Sequence, residues 1–341
     1  MLLLPSKNSF STSSSCSNPS PIQTSQLFHS FRKLGYICND RELAFIHFHT
    51  ETFIGLCIGR SYQIYDGEKL RLLCHSVPHA HKILRLCLLD KADMALALLK
   101  DRIVISRRGK ILRQIFVDDD DKLTNSRLLS PNMIRFGRDF IICLSSRPQF
   151  NESKQQQQSL YIINFREGGE KQPPILLEPG QTYTHIMHPH TYLNKVVLCR
   201  EDGRAELWNV RSRKKIYTFD HQVWQHAAPI TCIEQSQVVD VVAIAFADGT
   251  IVLHNLKADQ TLFSFAIEDR PGAYVCSMSF RSHGPVPMLA TGASDGSVAV
   301  WHLEERRLIH VMSGYEQVHS HCAISTLYFL PSQPVLVTSS I

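Results

Sequence analysis

A ten-residue phrase that occurs three times constrains the fold of this chain more than any other feature. It reads EDGRAELWNV from residue 201, ADGTIVLHNL from residue 247 and SDGSVAVWHL from residue 294. The aspartates at 202, 248 and 295 are 46 and 47 residues apart. A phrase that returns at a nearly constant interval indicates a fold assembled from a repeated structural unit.

The period and the phrase are together typical of a WD40 β-propeller, in which each unit is one four-stranded sheet. The Asp-Gly pair predicts the φ > 0 positions of a tight hairpin turn, and the alternation from Arg204 to Val210 predicts a strand with Glu and Trp on one face and Ala, Leu and Asn on the other. We expect the aromatic position to join a buried hydrogen-bonded set with Ser or Thr, His and Asp, because a buried indole N–H needs a partner. The blade-defining residues are Asp202, Gly203, Trp208, Asp248, Gly249, His254, Asp295, Gly296 and Trp301.

Degenerate copies of the unit precede the three clear ones. Tyr65, Ser106 and Asn164 occupy the position of the tryptophan, so that six blades are recognisable. The interval before Asn164 is longer than the others because it contains the polar, glutamine-rich segment 147–158. This segment predicts a solvent-exposed hairpin extension inside the third blade.

The residues from 322 to 341 begin a seventh blade of the seven-bladed plan and stop before its last turn. Either a strand around 27–37 completes this blade, or the chain is a truncated piece of a longer protein. We expect truncation, because the apolar strand PVLVT then lacks an outer neighbour, an edge that folded proteins normally protect. Residues 1–26 are expected to be a disordered, serine-rich tail, with an organelle transit peptide as the alternative, and 27–341 the propeller.

Composition excludes several classes of protein. The chain has 341 residues, of which 44% are hydrophobic and 20% charged, and a formal charge of +5, too small by itself to indicate a nucleic-acid binder. No stretch approaches the ~18 apolar residues of a membrane span, so no membrane partner is expected. The ten cysteines form no C-x-x-C pair and are expected to be buried free thiols in a reducing compartment.

Candidate catalytic and metal-binding residues are weak. Histidines cluster in HSVPHAH at 75–81 and HIMHPH at 185–190, but their spacing matches no structural zinc pattern. The chain has no G-x-S-x-G elbow, P-loop or G-x-G-x-x-G motif. We therefore expect no enzyme activity, no metal, no cofactor and no small-molecule substrate.

Basic residues recur in the connections that follow the aromatic positions. Because equivalent loops of successive blades emerge on one face of a propeller, these residues are expected to share a face, as phosphate-backbone binding requires. The alternative is that they are solvated turn residues, since aromatic residues for base stacking are largely missing. The candidate residues for binding RNA or a partner are Arg107, Arg108, Lys110, Arg113, Arg211, Arg213, Lys214, Lys215, Arg306 and Arg307.

Several longer stretches go beyond the general WD40 pattern. They are HPHTYLNKVVLCREDGRAELWNVRSRKKIYTF at 188–219, VVDVVAIAFADGTIVLHNL at 238–256, LFHSFRKLGYICND at 27–40, CIGRSYQIYD at 57–66 and PVPMLATGASDGSVAVWHLEERRLI at 285–309. In these stretches the chain closely resembles the family of U3 small nucleolar RNA-associated protein twenty-one, also called WD repeat-containing protein thirty-six. The resemblance covers residues 27–341, with 80–185 departing most from the pattern.

The resemblance implies a scaffold. Proteins of that family are subunits of the UTP-B subcomplex of the small-subunit processome, which assembles on pre-rRNA in the nucleolus and supports 18S rRNA maturation. They carry two consecutive propellers and a helical C-terminal domain, of which this chain would supply the first propeller. The expected partners are other UTP-B subunits and processome proteins, with U3 snoRNA or pre-rRNA contacted directly or indirectly. The alternatives are a WD40 adaptor of another complex, such as a ubiquitin-ligase substrate receptor or a signalling scaffold, and, less favoured, an enzymatic propeller.

Overall fold

A computed structural model of the chain provides the coordinates. The structure describes residues 2–5, 32–33, 41–117, 129–145, 149–150, 156–166, 172–219, 228–266, 272–281, 284–313, 319, 322–331, 333 and 335–340. The acidic run at 118–121 and most of the predicted tail, 6–26, lie outside the described residues.

The described residues form seven antiparallel four-stranded sheets and one two-stranded sheet. We number the four-stranded sheets along the chain from residue 44. Sheet one contains β3 (Ala44–Phe48), β4 (Glu51–Ile58), β5 (Ser61–Asp66) and β6 (Leu72–His75). Sheet two contains β7 (Arg85–Leu89), β8 (Met94–Leu98), β9 (Arg102–Arg107) and β10 (Lys110–Phe116). Sheet three contains β11 (Leu129–Phe136), β12 (Phe140–Ser145), β15 (Ser159–Asn164) and β16 (Ile175–Leu176).

The remaining sheets follow the same antiparallel plan. Sheet four contains β17 (Tyr183–Met187), β18 (Lys195–Arg200), β19 (Ala205–Asn209) and β20 (Lys214–Thr218). Sheet five contains β21 (Ile230–Gln235), β22 (Val241–Phe246), β23 (Thr250–Asn255) and β24 (Gln260–Ala266). Sheet six contains β25 (Val275–Phe280), β26 (Met288–Ala293), β27 (Val298–His302) and β28 (Arg307–Met312). Sheet seven contains β29 (Ile324–Phe329), β30 (Val335–Ser340), β1 (Leu2–Pro5) and β2 (Arg32–Lys33).

The chain divides into two compact units, residues 38–275 and residues 1–37 with 276–341. The first unit holds sheets one to five. Among the described residues, no helix has the length and apolar character required to cross a membrane. The architecture is that of an all-β chain of successive four-stranded units, as the repeat predicts.

Burial follows strand position in sheets four and five. All of β22, which reads VVAIAF, is buried, whereas the fourth strand β24, QTLFSFA, alternates between exposed and half-buried residues. The fourth strand β20 is exposed over most of its length. In sheets four and five, therefore, the second strand is a buried apolar run and the fourth strand forms an exposed edge.

The alternation in β19 has the predicted effect on packing. Trp208 packs in a cluster with Ile142 and Leu160 of sheet three. Leu207, its neighbour in the chain, packs instead with Val242 and Ile244 of sheet five. One strand thus supplies the cores on both sides of sheet four, because successive side chains point to opposite faces.

The Asp-Gly turns differ in detail from the predicted geometry. Only the glycine of each pair has a positive φ, 84° at Gly203, 87° at Gly249 and 85° at Gly296. The N–H of Gly203 donates to the Arg200 carbonyl at 3.2 Å. The Asp202 carboxylate accepts from the N–H of Arg204, also at 3.2 Å. The aspartate therefore stabilises the turn through its side chain rather than by adopting a left-handed backbone.

The glutamine-rich segment 147–158 contains a short hairpin, β13 (Gln149–Phe150) paired with β14 (Gln156–Gln157). Gln158, its last residue, departs from the expected exposure because it is 2% exposed. Its amide donates to the Ser145 carbonyl at 3.0 Å and accepts from the N–H of Tyr183 at 2.6 Å. Gln158 therefore connects the backbones of sheets three and four.

Sheet seven corrects the expectation of an unpaired PVLVT strand. Leu2–Pro5 pairs antiparallel with β30, residue 5 opposite Val335 and residue 2 opposite Thr338. β2 lies within 27–37 and pairs with β1. The predicted strand around 27–37 is therefore the outermost strand of this sheet. Residues 2–5, which belong to the predicted disordered tail, form the strand between β2 and β30.

Candidate interaction surface

The turns between the third and fourth strands of sheets four and five have the same construction. The Asn209 side-chain oxygen accepts from the N–H groups of Arg211 and Ser212 at 2.9 and 3.0 Å. Asn255 accepts from Lys257 and Ala258 at 3.0 and 2.9 Å. Four residues after each asparagine, the backbone has a positive φ, 57° at Arg213 and 49° at Asp259. The asparagine closes the turn, and the side chains of Arg211 and Lys257 are exposed.

Sheet six contains a variant of this turn. The His302 Nδ1 accepts from the N–H of Glu305 at 3.1 Å, and Arg306 has a φ of 53°. The Arg307 guanidinium donates to the Glu305 carboxylate and lowers the pKa of that carboxyl group. Arg307 is therefore partly neutralised by a residue of its own turn.

Sheet two has a tighter turn, in which Arg108 and Gly109 have φ values of 47° and 77°. Arg107 Nε and Arg108 Nε each lie 2.6 Å from one oxygen of the Asp93 carboxylate. These two guanidinium groups lower the pKa of Asp93. Arg107 and Arg108 of the predicted surface are thus both held by the carboxylate that immediately precedes β8, while Lys110 and Arg113 lie on β10.

The basic cluster of sheet four is the least neutralised. Lys215 Nζ forms an ion pair with Glu178 and lies 3.7 Å from Glu206 Oε1. Within the described residues, Arg211, Arg213 and Lys214 form no ion pair. The three predicted clusters therefore differ in free charge, and their placement on one shared face stays a prediction, since Arg306 and Arg307 belong to the other compact unit.

Trp208 has a different hydrogen-bond partner from the expected Ser or Thr, His and Asp. Its Nε1 donates to Glu206 Oε2 at 2.8 Å, and the Tyr183 hydroxyl donates to the same oxygen at 2.9 Å. Arg200 Nη1 donates to Glu206 Oε1 at 3.2 Å. Burial and the adjacent Glu206 carboxylate raise the pKa of Tyr183. A fully buried glutamate therefore organises this blade.

The other two blade-defining positions, Trp301 and His254, have separate neighbours. Trp301 Nε1 donates to the Thr291 hydroxyl at 3.1 Å, which is the kind of partner the repeat predicts. His254 Nε2 lies 3.1 Å from Asp259 Oδ1, and burial lowers its pKa. The Phe219 ring packs edge-on against His254. These contacts assign a structural role to the blade-defining positions.

The clustered histidines make local contacts rather than converging on a shared site. His188 Nε2 lies 2.6 Å from the Tyr192 carbonyl, and His185 Nδ1 lies 3.0 Å from the Thr184 hydroxyl. His79 stacks on the Tyr62 ring. Across the part of the chain that the structure describes, no group of three or more His, Cys, Asp or Glu residues could hold a metal ion.

The cysteines that the structure describes are free thiols. Cys57, Cys143 and Cys199 are buried as expected, and burial raises the pKa of Cys199 to about 12. Cys322 differs from the expectation because it is exposed. A thiol with a raised pKa is a poor nucleophile at neutral pH, so the buried cysteines act as small apolar side chains.

Sequence reasoning missed the charges on the first strands of the sheets. Arg85 of β7 forms an ion pair with Glu42, and Glu234 lies on β21. Burial raises the pKa of Glu234 to about 8, while the charge of Arg85 acts in the opposite direction. The sequence signal for a charged side chain on a first strand is one charged residue within an apolar run, such as Arg85 in ILRLCLL at 83–89.

A shallow cavity of about 270 Å³ lies beside the Asp202 turn. Its lining residues are Gly180, Gln181, Thr182, Arg200, Glu201 and Asp202. Arg200 Nη2 donates to Gln181 and, at 2.6 Å, to Asp202. Three of the lining side chains, those of Arg200, Gln181 and Asp202, are therefore bonded to one another.

Comparison with known proteins gives a consistent result. Residues 54–341 match the family model described as the WDR36/Utp21 first beta-propeller. The chain is similar to WD repeat-containing protein 36 of Homo sapiens, with 30% identity over 92% of this chain and 32% of that protein. It is 30% identical to the U3 small nucleolar RNA-associated protein 21 homolog of Schizosaccharomyces pombe, over 94% of this chain and 32% of that protein. It is 24% identical to U3 small nucleolar RNA-associated protein 21 of Saccharomyces cerevisiae, over 93% of this chain and 31% of that protein. The chain thus spans about a third of the length of these relatives.

Proposed function

Since this chain belongs to the WDR36/Utp21 family, whose first β-propeller it matches over residues 54–341, we propose that it is a non-enzymatic scaffold of the small-subunit processome. In this role it supports pre-rRNA processing and 18S rRNA maturation by holding partners at fixed positions. The family match carries the proposal. Two of the relatives are named for their association with U3 small nucleolar RNA, which supports a role in ribosome biogenesis.

The proposed partners are other UTP-B subunits and processome proteins, with U3 snoRNA or pre-rRNA contacted directly or through those proteins. The proposed location is the nucleolus. A rigid β-sheet framework suits this role because binding residues on its turns keep a fixed geometry.

We propose the basic residues as contacts for an anionic partner, and some of them are stronger candidates than others. Arg211, Arg213 and Lys214 are exposed and carry charge that no described carboxylate pairs with. Arg107 and Arg108 are weaker candidates because Asp93 holds both. An exposed cation attracts phosphate or carboxylate groups more strongly when no neighbouring carboxylate already neutralises it.

The test is to purify the tagged 341-residue chain gently from cells and to probe the eluate for U3 snoRNA and for UTP-B subunits. Recovery of both, with nucleolar staining of the tagged chain, is expected. A Gly203→Val variant is the misfolded control, because a Cβ at Gly203 would lie 2.5 Å from the Ala228 carbonyl oxygen. A folded chain that recovers neither component and stains the cytoplasm diffusely would contradict the proposal and favour an adaptor of another complex.

A further inference from the structure

Three large aliphatic side chains stand at the tips of two neighbouring turns. Leu193 is 88% exposed, in the turn between β17 and β18 of sheet four. Val238 and Val239 are 64% and 62% exposed, in the corresponding turn between β21 and β22 of sheet five. Isolated apolar residues on a surface are common, but three together at loop tips are typical of a binding surface.

Hydrogen bonds hold these two turns in place. The Thr191 hydroxyl donates to the Asp240 carboxylate at 2.7 Å. The His190 N–H donates to the Gln235 side-chain oxygen at 3.0 Å. The apolar tips are therefore arranged before any ligand binds, which lowers the entropy lost on binding.

Basic residues lie beside the same tips. The Val210 N–H donates to the Asn194 carbonyl at 2.9 Å, which places Arg211 next to the turn of Leu193. In the same way, the Leu256 N–H donates to the Asp240 carbonyl at 2.7 Å and places Lys257 next to the turn of Val239. We call Leu193, Val238, Val239, Arg211 and Lys257 the turn surface.

The acidic groups nearest this surface already have partners. Asp240 is buried and accepts from Thr191. Asp259 lies 3.1 Å from His254 Nε2 and accepts from the Tyr217 hydroxyl. Within the described residues, Arg211 and Lys257 form no ion pair. The turn surface is thus apolar at its tips and positively charged at its sides.

We propose that the turn surface binds a short segment of a partner protein that presents apolar side chains next to carboxylates. The apolar side chains cover Leu193, Val238 and Val239, and the carboxylates pair with Arg211 and Lys257. Charge complementarity selects an acidic segment over a basic one. RNA fits less well because the tips are aliphatic and the neighbouring Tyr192 ring is half-buried, with Lys195 Nζ 5.2 Å from its centroid.

This inference rests on the proposed scaffold role only in requiring a protein partner, whatever complex the chain enters. Its test uses purified components, so that its result is separate from the co-purification of U3 snoRNA. A library of random short peptides displayed on phage is selected on the immobilised 341-residue chain. The triple variant Leu193→Glu, Val238→Glu, Val239→Glu is kept out of the selection and is the comparison chain in the binding assay that follows.

Enriched peptides are expected to combine apolar residues with Asp or Glu. Fluorescence anisotropy of a labelled enriched peptide is expected to show binding at least tenfold weaker for the triple variant. Arg211→Ala with Lys257→Ala is expected to weaken binding and to reduce its salt dependence. These two substitutions leave the apolar tips intact and separate the electrostatic contribution from the apolar one.

The matched control is Leu72→Glu with Leu73→Glu, since these residues of β6 are 48% and 47% exposed and lie in another sheet. It is expected to leave peptide binding unchanged, and circular dichroism checks that each variant is folded. The proposal is overturned by any of three results: no enrichment, enriched peptides without acidic residues, or equal peptide binding by the triple variant. Loss of binding to a single-stranded RNA oligonucleotide in the triple variant, without loss of peptide binding, would assign the surface to RNA.

Discussion

Glu206 is a carboxylate without exposed surface that accepts hydrogen bonds from Trp208, Tyr183 and Arg200. These donors come from three strands, β19, β17 and β18. A buried charge is tolerated when it is paired and fully hydrogen-bonded, and its neighbours then depend on it. At this scale one side chain takes the place of the several residues that the repeat predicts around its tryptophan.

Replacing Glu206 with leucine is expected to lower the free energy of unfolding by about 3 kcal/mol, because it leaves the indole N–H, the Tyr183 hydroxyl and the Arg200 guanidinium short of an acceptor. Glu206→Gln keeps an acceptor and is expected to have a smaller effect. Urea unfolding at neutral pH measures both. The exposed neighbour Glu201→Gln is the control, and equal stability of the leucine variant and this control would contradict the assigned role.

Three glycines with similar positive φ values allow backbone strain to be separated from steric contact. A Cβ at Gly203 would lie 2.5 Å from the Ala228 carbonyl oxygen, whereas one at Gly180 would meet nothing within 4 Å. Gly180→Ala is therefore expected to cost about 1 kcal/mol from strain alone, and Gly203→Ala distinctly more. Gly249→Ala, whose nearest contact is at 3.0 Å, is expected to fall between them. Thermal unfolding gives the order, and a Gly180 variant as unstable as the Gly203 variant would refute it.

At the scale of the turn, the backbone repeats while the surface charge does not. The turns after β19 and β23 share the asparagine acceptor and the left-handed fourth residue. The net charge of a turn depends on carboxylates elsewhere in its sheet. Asp93 shows this for Arg107, the last residue of β9, and for Arg108, which lies in the turn after it. A count of basic residues in the sequence therefore overstates the positive charge that a partner meets.

Retention on a heparin column tests this view of the charge. Arg211→Ala with Lys214→Ala is expected to elute at clearly lower salt, since these cations are free of described carboxylates. Arg107→Ala with Arg108→Ala is expected to have a smaller effect because Asp93 neutralises part of that charge. Asp93→Asn is expected to shift elution to higher salt. Equal shifts for the two arginine-containing pairs would show that the Asp93 ion pairs have no influence.

His319 makes sheet seven sensitive to pH. Its ring nitrogens lie 2.9 Å from the hydroxyls of Thr338 and Ser340, and burial lowers its pKa from 6.5 to about 4. The folded protein therefore binds this proton less readily than the unfolded chain. The stability that neutral His319 contributes is present above pH 6.5 and is lost as the pH falls towards about 4.

We expect the free energy of unfolding to fall more steeply between about pH 7 and pH 5 in the wild-type chain than in a His319→Gln variant. Glutamine retains hydrogen-bonding groups but does not titrate. Urea unfolding of both chains across this range is the measurement. Parallel pH profiles would mean that His319 does not contribute to the acid sensitivity.

At the scale of the whole molecule, residues near both ends of the sequence meet in one sheet. Leu2–Pro5 lies between β30 and β2, so that the apolar strand Val335–Ser340 is paired on both sides. Paired edges protect a β protein from association with other chains. Sheet seven therefore depends on contacts between residues more than three hundred positions apart.

Deleting residues 2–5 is expected to lower the melting temperature and to cause concentration-dependent association, because β30 then presents an open apolar edge. Differential scanning fluorimetry and light scattering measure the two effects. Replacing the same four residues with valines, which favour strands, is the control and is expected to restore the melting temperature and light scattering of the parent chain. A deletion variant that melts and scatters like the parent would contradict the pairing of β1.

The repeat by itself determined the fold class and the alternation of side chains along its strands. The period places an Asp-Gly turn and an alternating strand at fixed intervals, and alternation alone separates Trp208 from Leu207 onto opposite faces. The family resemblance extended this to the first β-propeller of the WDR36/Utp21 family, which the comparison confirms. These properties are local or periodic, so that a linear sequence can express them.

Only the tertiary structure decided which residues from distant parts of the sequence contact a given side chain. Tyr183 and Arg200 reach the Glu206 carboxylate, and Asp93 neutralises Arg107, only because antiparallel strands bring them together. Leu2–Pro5 is a strand rather than a tail because β30 offers it an edge. The turn surface likewise combines two turns of different sheets, and no pattern along the chain records their proximity. The sequence period determines the four-stranded sheet that repeats, whereas contacts between strands and between sheets determine which charged and apolar groups the surface presents.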